Sequence, residues 1–214
     1  IYIQDDLAAP GVILDPAATV STPAWLWSSS GMRAVDHAIG SICTANPNPM
    51  TDATTPQGLR RLAAALRRVK ADPDALEARR DCQLGVWLSS TGMMRMQYGA
   101  SHGLSWHLSA VADVPHGHCS CVLLPATLRW NEPANGERQA IVSECLGMPG
   151  APAADAVLAL IEELELPHRL RDVGIERHHF DKIATDAMNN MLVRNNPRRI
   201  DRREDVLEIL ELAW

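Results

Sequence analysis

Read for the spacing of its apolar residues, the chain is a succession of helices behind a short extended opening. In "GLRRLAAALRRVK", Leu59, Leu62, Ala63, Leu66 and Val69 recur at three and four residues while the arginines take the other side, the pattern of an amphipathic surface helix. That basic run reads as a solvated face. Val157, Leu160, Ile161 and Leu164 repeat the spacing in "MPGAPAADAVLALIEELELP", a helix bounded by Gly150, Pro152 and Pro167. From Asp72 to about Ala112 the helical character is nearly unbroken, and apolar residues fall on all sides around "CQLGVWLSSTGMMRMQYGASHGLSWHLSAVA". Such all-round apolarity marks one buried helix, or two joined near the glycines, at the centre of the domain. Only "IYI" and "GVILDP", short, β-branched and closed by Asp15-Pro16, read as extended.

Punctuation refines the pattern. Thr22-Pro23, Thr55-Pro56 and Asp72-Pro73 each place a capping residue before a proline at the first helical position, where its missing N–H costs nothing. Three helix starts are predicted there. Ser28 to Gly31 initiate the stretch carrying Arg33, Asp36 and His37, and "NEPANGERQ" reads as a loop. "ERHHFDKIATDAMNNML" and "REDVLEILELAW" supply the last helices, with Asp201 and Glu204 spaced as a capping box. The prediction is a mainly α fold: a helical domain over residues 23–214, entered through residues 1–22.

Composition narrows the function. With 214 residues and 46% hydrophobic content the chain can bury a sizeable core. Twenty Lys and Arg against 26 Asp and Glu give a net charge of −6, which offers no electrostatic footprint for nucleic acid or anionic lipid. No apolar run approaches the ~20 residues that span a bilayer, and "IYIQDDLAAP" lacks the regions of a signal peptide. The expected compartment is the cytoplasm. Five cysteines, an odd number without CxxC pairs, read as free thiols. No G-x-G-x-x-G, G-x-x-x-x-G-K-[ST] or H-E-x-x-H occurs, so the chain carries no phosphate loop or zincin motif of its own.

The candidate chemistry lies in two stretches. In "SSSGMRAVDHAIG", Arg33 and His37 are four apart and share a helix face, whereas Asp36 points roughly 100° from His37. A cation beside an imidazole suits a substrate carboxylate; an ordinary Arg33–Asp36 ion pair is the equal alternative. In "ASHGLSWHLSAVADVPHGH", His102 and Trp106 share a face, and Val114-Pro115 ends the helix so that His116 and His118 fall on the next turn or helix entry. His37, His102 and His116 arriving from separate elements would suit Zn²⁺ or Fe²⁺ if they converge.

The ordered set "ILDP", "TP", "SSSGMRAVDHAI", "ASHGLSWHLSAVADVPHGHCSCVLLPATLRWN" and "NPRRIDRREDVLEILELAW" resembles the C-terminal half of the iron-containing alcohol dehydrogenase superfamily, more narrowly its maleylacetate-reductase-like branch. The resemblance covers essentially the whole chain. It implies a two-domain oxidoreductase whose N-terminal half binds NAD(H) or NADP(H) and whose all-helical C-terminal half supplies the metal or substrate site, residues 1–22 being the remnant of the link between them. Metal-dependent members carry an acid and a histidine four apart, then the histidines of "HG" and "PHG". His37, His102 and His116 match three of these ligands, and Arg33 stands in place of the acid. The maleylacetate reductase branch is similar in lacking that acid and is regarded as metal-independent. Trp106 stands where relatives carry a further histidine, and Gly40 where they commonly carry glutamate.

The function so implied is hydride transfer between nicotinamide and an alcohol, carbonyl or maleylacetate-like substrate. Arg33, His37, His102 and His116 would clamp a small, carboxylated substrate and shuttle the proton, or the three histidines would hold Fe²⁺ or Zn²⁺ that polarises its oxygen. A homodimer is compatible with either. The rival expectation is a catalytically silent helical module whose histidines are structural.

Overall fold

A computed structural model of the chain describes Ala9, residues 11–92 and residues 96–214. Among these residues lie the helices α1 (Ala24–Ile42), α2 (Pro49–Ala71), α3 (Leu76–Ser90), α4 (Ala100–Ala112), α5 (His116–Leu146), α6 (Ala153–Glu163), α7 (Phe180–Ala187), α8 (Met191–Arg194) and α9 (Arg203–Leu212). Short 3-10 turns occupy Ala17–Thr19, Leu170–Val173 and Arg177–His179. There is no strand among the described residues; 11–15 have no regular secondary structure, and the "IYI" reading lies outside the described residues. Among the described residues no helix is long and apolar enough to cross a membrane.

Helix ends follow the expected chemistry, displaced in places. α1 starts at Ala24, directly after Thr22-Pro23. α2 opens at Asn48-Pro49, where the Asn48 side chain accepts from the Met50 N–H at 2.9 Å. Pro56, predicted to open that helix, lies inside it. Asp72 ends α2 instead of opening α3: its carboxylate takes the Asp74 N–H at 3.1 Å in the turn that leads to Leu76. At α9 the capping carboxylate is Asp205, not Glu204; it accepts from the Asp201 and Arg202 N–H groups at 3.0 and 2.9 Å.

The largest departure is "NEPANGERQ", which continues α5 and leaves the helix only at Asn135 (φ −144°, ψ 26°). Its polar side chains serve neighbouring backbone. Asn135 Nδ2 donates to the Cys43 carbonyl at 2.9 Å, Arg138 Nε to that of Ile42 at 2.6 Å, and Gln139 Nε2 to that of Leu128 at 2.8 Å. The end of α1 is thereby supplied with partners for carbonyls that no helical N–H reaches.

Two apolar clusters share α5. One gathers Met32, Val35 and Ile39 of α1, the Leu59–Leu62–Leu66 stripe of α2 and Val157, Leu160 and Ile161 of α6 around Cys121, Leu124 and Leu128. The other gathers Leu104 and Leu108 of α4, Ile183 of α7 and Val206, Ile209 and Leu210 of α9 around Cys119, Leu123 and Trp130. Cys119 and Cys121, which would share a face in an extended segment, thus enter opposite clusters from a helix. Arg79 of α3 is 2% exposed. Its Nε donates to the Pro73 carbonyl and its Nη1 to that of Thr19, each at 2.7 Å, and the guanidinium lies 4.5 Å from the centre of the Trp27 ring. One side chain ties the entry loop, the α2–α3 turn and α1 together.

Candidate active site

Three helices bring the site together. α1 carries Arg33, Asp36 and His37; α4 carries Ser101, His102 and Ser105; α5 begins with His116 and carries Ser120 one turn on. α1 and α5 approach closely because residue 117 is glycine: a Cβ there would sit 2.4 Å from the Ser29 carbonyl oxygen. Gly40 makes similar room for Tyr98, whose ring atom would be 2.8 Å from an added Cβ. The Tyr98 ring stacks on His102 with centroids 4.4 Å apart and meets His37 edge-on at 5.2 Å.

The centre of the site is Asp36, 1% exposed. Its Oδ2 accepts from Ser120 Oγ at 2.7 Å, Ser101 Oγ at 3.0 Å and Arg33 Nη1 at 3.3 Å. Its Oδ1 faces His102 Nδ1 at 3.4 Å. Burial alone would lift the carboxyl; His102, then Arg33, then the Ser120 hydroxyl outweigh it and hold Asp36 below the ordinary carboxylate range. Asp36 is therefore ionised at neutral pH, with His102 Nδ1 beside it at 3.4 Å. His102 Nε2 and His37 Nδ1 lie 2.9 Å apart and share one hydrogen bond, the donor being set by the tautomers of the two rings. Burial pushes His102 down to about 4 and lowers His37 as well, with the Arg33 charge acting in the same direction on both. Two imidazoles thus stand in series in front of a buried carboxylate.

Of the residues singled out by sequence, Arg33, His37 and His102 are brought together. Arg33 makes the ion pair with Asp36 and also donates to Ser120 Oγ at 3.1 Å. His116 is exposed at the start of α5; its charge depresses both His37 and His102, so it stands within electrostatic reach, but no hydrogen bond joins it to them. Trp106 does not share the space of His102, being 41% exposed where His102 is 3%. His118 lies against Trp25, ring centroids 6.0 Å apart, and His107 Nε2 lies 3.3 Å from Asn190 Nδ2. Asp36 itself was missed as a site residue. Its position between Met32 and Ile39 on the buried stripe of α1 was the available signal, because a charged residue on such a stripe must be paired.

A family model described as Fe-containing alcohol dehydrogenase family, C-terminal, matches residues 28–214. This chain belongs to that family. Among the relatives of this iron-containing alcohol dehydrogenase family member is 1,3-propanediol dehydrogenase of Klebsiella pneumoniae, 31% identical over 201 residues, which are 90% of this chain and 52% of the relative. Maleylacetate reductase of Burkholderia cepacia is 30% identical over 203 residues, 95% of this chain and 56% of the relative. The crystal structure of maleylacetate reductase from Rhizobium sp. strain MTP-10005 superposes with a TM-score of 0.84 at 26% identity, over 94% of this chain and 55% of that one. Maleylacetate reductases are thus among the relatives, as the resemblance implies. The family member described here spans about half the length of the curated relatives it matches.

The iron in the family's description does not fit the side chains of this member as they are arranged. Among the described residues no three His, Cys, Asp or Glu side chains are grouped to hold a metal ion. His37 and His102 spend facing ring nitrogens on each other, and the Arg33 guanidinium lies 3.3 Å from the buried carboxylate. A divalent ion there would meet a fixed positive charge at close range.

Proposed function

We propose that this family member is the substrate and proton-transfer half of a nicotinamide-dependent oxidoreductase that interconverts a carbonyl and an alcohol on a small, carboxylated substrate. Asp36, His102 and His37 form its proton relay. The observation that carries the reading is the 2.9 Å bond between the two imidazoles, backed by an ionised, buried carboxylate. A nicotinamide, when bound, supplies or takes the hydride at the substrate carbon. The chain has no glycine-rich phosphate loop, which assigns the dinucleotide's phosphates to a partner half like that of the longer relatives.

For oxidation, neutral His37 takes the hydroxyl proton at Nε2 and becomes imidazolium; for reduction, the imidazolium returns that proton from Nε2 to the substrate oxygen as that oxygen gains charge. As Nε2 gains its proton, Nδ1–H strengthens its bond to His102 Nε2, and His102 Nδ1–H leans on Asp36. The carboxylate stabilises the imidazolium without itself accepting the proton, consistent with its depressed pKa. Arg33 uses only Nη1 for its protein partners. Its Nε–Nη2 edge has none among the described residues, and that edge matches a substrate carboxylate bidentately.

The test is co-expression of the chain with a dinucleotide-binding half, followed by NADH and NADPH oxidation on maleylacetate and on simple aldehydes. His37→Gln is expected to lower kcat by about 10²–10⁴, the usual worth of a positioned acid or base. Arg33→Met should raise KM for carboxylated substrates more than for neutral ones. Unchanged turnover in His37→Gln would overturn the relay; absence of turnover in every pairing would favour the silent module.

A further inference from the structure

Tyr98 is no member of the proton relay, yet it packs against both imidazoles. Its ring is stacked on His102, with 4.4 Å between centroids and 20° between planes, and meets His37 edge-on at 5.2 Å. His37 and His102 themselves meet edge-on at 4.5 Å, so each of the three rings touches the other two. The Tyr98 hydroxyl is sealed beside Ser41 without a hydrogen bond, because Ser41 Oγ donates to the His37 carbonyl at 3.0 Å. Tyr98 therefore offers the site a flat face and not a polar group.

The backbone that carries this ring is fixed on both sides. Before it, the Gln97 carbonyl accepts from Thr44 Oγ1 at 3.4 Å, and Gln97 Oε1 accepts from Asn46 Nδ2 at 2.8 Å. After it, the Ala100 N–H at the start of α4 donates to Asn196 Oδ1 at 3.0 Å. Room for the ring comes from α1: a Cβ on residue 40 would lie 2.8 Å from Tyr98 Cδ1, 3.2 Å from Tyr98 Cε1 and 3.8 Å from His102 Cε1. Any side chain there would push the ring off its seat.

The outer side-chain torsion of a histidine, where a tetrahedral carbon meets the ring, is intrinsically broad. A parallel neighbour at stacking distance narrows it, because an imidazole turned out of plane drives its edge into the tyrosine face. We propose that Tyr98 is a positioning residue of the relay: its face, admitted by Gly40, holds the His102 ring at the angle that keeps Nε2 2.9 Å from His37 Nδ1. The inference rests on the relay reading above and adds the residue that orients its middle member.

Crystal structures of the chain and of Tyr98→Phe, Tyr98→Leu and Gly40→Ala test the geometry. Tyr98→Phe keeps the face and should keep the imidazole pair within hydrogen-bond distance. Tyr98→Leu removes the face and Gly40→Ala displaces it, the latter without weakening α1, since alanine is the better helix former. In both, His102 should be rotated or split between orientations, with the pair broken. A pair intact at full occupancy in Tyr98→Leu, or broken in Tyr98→Phe, overturns the proposal; Gly40→Ala decides in the same way should Tyr98→Leu fail to fold. Turnover with a dinucleotide-binding half separates this inference from the reading beneath it. Expected is a kcat lowered about 10²-fold in Tyr98→Leu, the scale of a misplacement by ~1 Å, at little changed KM and restored in Tyr98→Phe. Full turnover in Tyr98→Leu beside a loss in His37→Gln refutes Tyr98 alone. Unchanged turnover in His37→Gln refutes the relay and the part of Tyr98 in it together.

Discussion

Replacing Asp36 by leucine should unsettle the fold before it reaches any chemistry. In the native chain the carboxylate is 1% exposed and collects Ser120, Ser101 and Arg33 at 2.7, 3.0 and 3.3 Å. Asp36→Leu strands the Ser120 and Ser101 hydroxyls and the Arg33 guanidinium, whose side chain is 15% exposed, and removes the charge beside the His102 ring. Removing one partner of a buried pair costs about 3–5 kcal/mol, chiefly because the other charge is left uncompensated. The leucine returns part of that by apolar burial, so the expected loss is about 3 kcal/mol. At ~2–4 °C per kcal/mol for a domain of this size, melting should fall by about 6–12 °C. The companion variant Arg33→Met/Asp36→Leu removes both charges, and its loss should shrink to about 1 kcal/mol, because well-packed apolar replacements of buried pairs are often neutral. Urea unfolding followed by far-UV circular dichroism measures the wild type, Asp36→Leu, Arg33→Met and the double variant, with unchanged m-values showing that only stability has moved. A double variant as unstable as the sum of its singles would refute the claim that Arg33 and Asp36 form one energetic unit.

Acid should weaken the wild-type chain through His102. Its folded pKa, about 4, lies below the ordinary 6.5, so the unfolded chain binds the proton first; the stabilisation is complete above pH 6.5 and is lost as pH falls toward 4, at most about 3 kcal/mol. His102→Gln should flatten the stability–pH curve in that window, and an unchanged slope would count against a buried neutral His102. Arg79→Ala should lose about 3–5 kcal/mol in the same denaturation assay, since charged hydrogen bonds of ~1.5–3 kcal/mol each and a cation–π contact go together; a loss under about 1 kcal/mol would show that the loops it ties are held otherwise. All five cysteines are buried, and burial pushes Cys43, Cys82 and Cys121 up to about 12. An aromatic disulfide reagent should therefore titrate them only after urea is added; rapid reaction of the native chain would contradict the packing.

The helices whose apolar stripes repeat cleanly, α2 and α6, were legible because burial on one face is a local, periodic property. Helix ends were less so: Asn48-Pro49 and Thr55-Pro56 obey the same capping rule, and only packing chooses between them. "NEPANGERQ" reads as a loop by composition, yet its asparagine, arginine and glutamine are there for the backbone of α1 and of α5 itself, a demand invisible without the neighbouring helix. At the site, Arg33, His37 and His102 could be named from spacing, while their partners could not. Asp36 diverges from His37 on an isolated helix, and only the hydroxyls of Ser101 and Ser120 on two other helices make its direction meaningful. Serines in otherwise apolar helices were the trace such a network leaves in one dimension.

Because the 31-residue helix α5 sends Cys119 into one apolar cluster and Cys121 into the other, neither cluster is a module that can be cut free. Proteolytic nicking or circular permutation within residues 116–130 would open both at once, so stable fragments should not arise from that stretch. Thermal melting should accordingly be one cooperative event, with no plateau in which half the molecule survives.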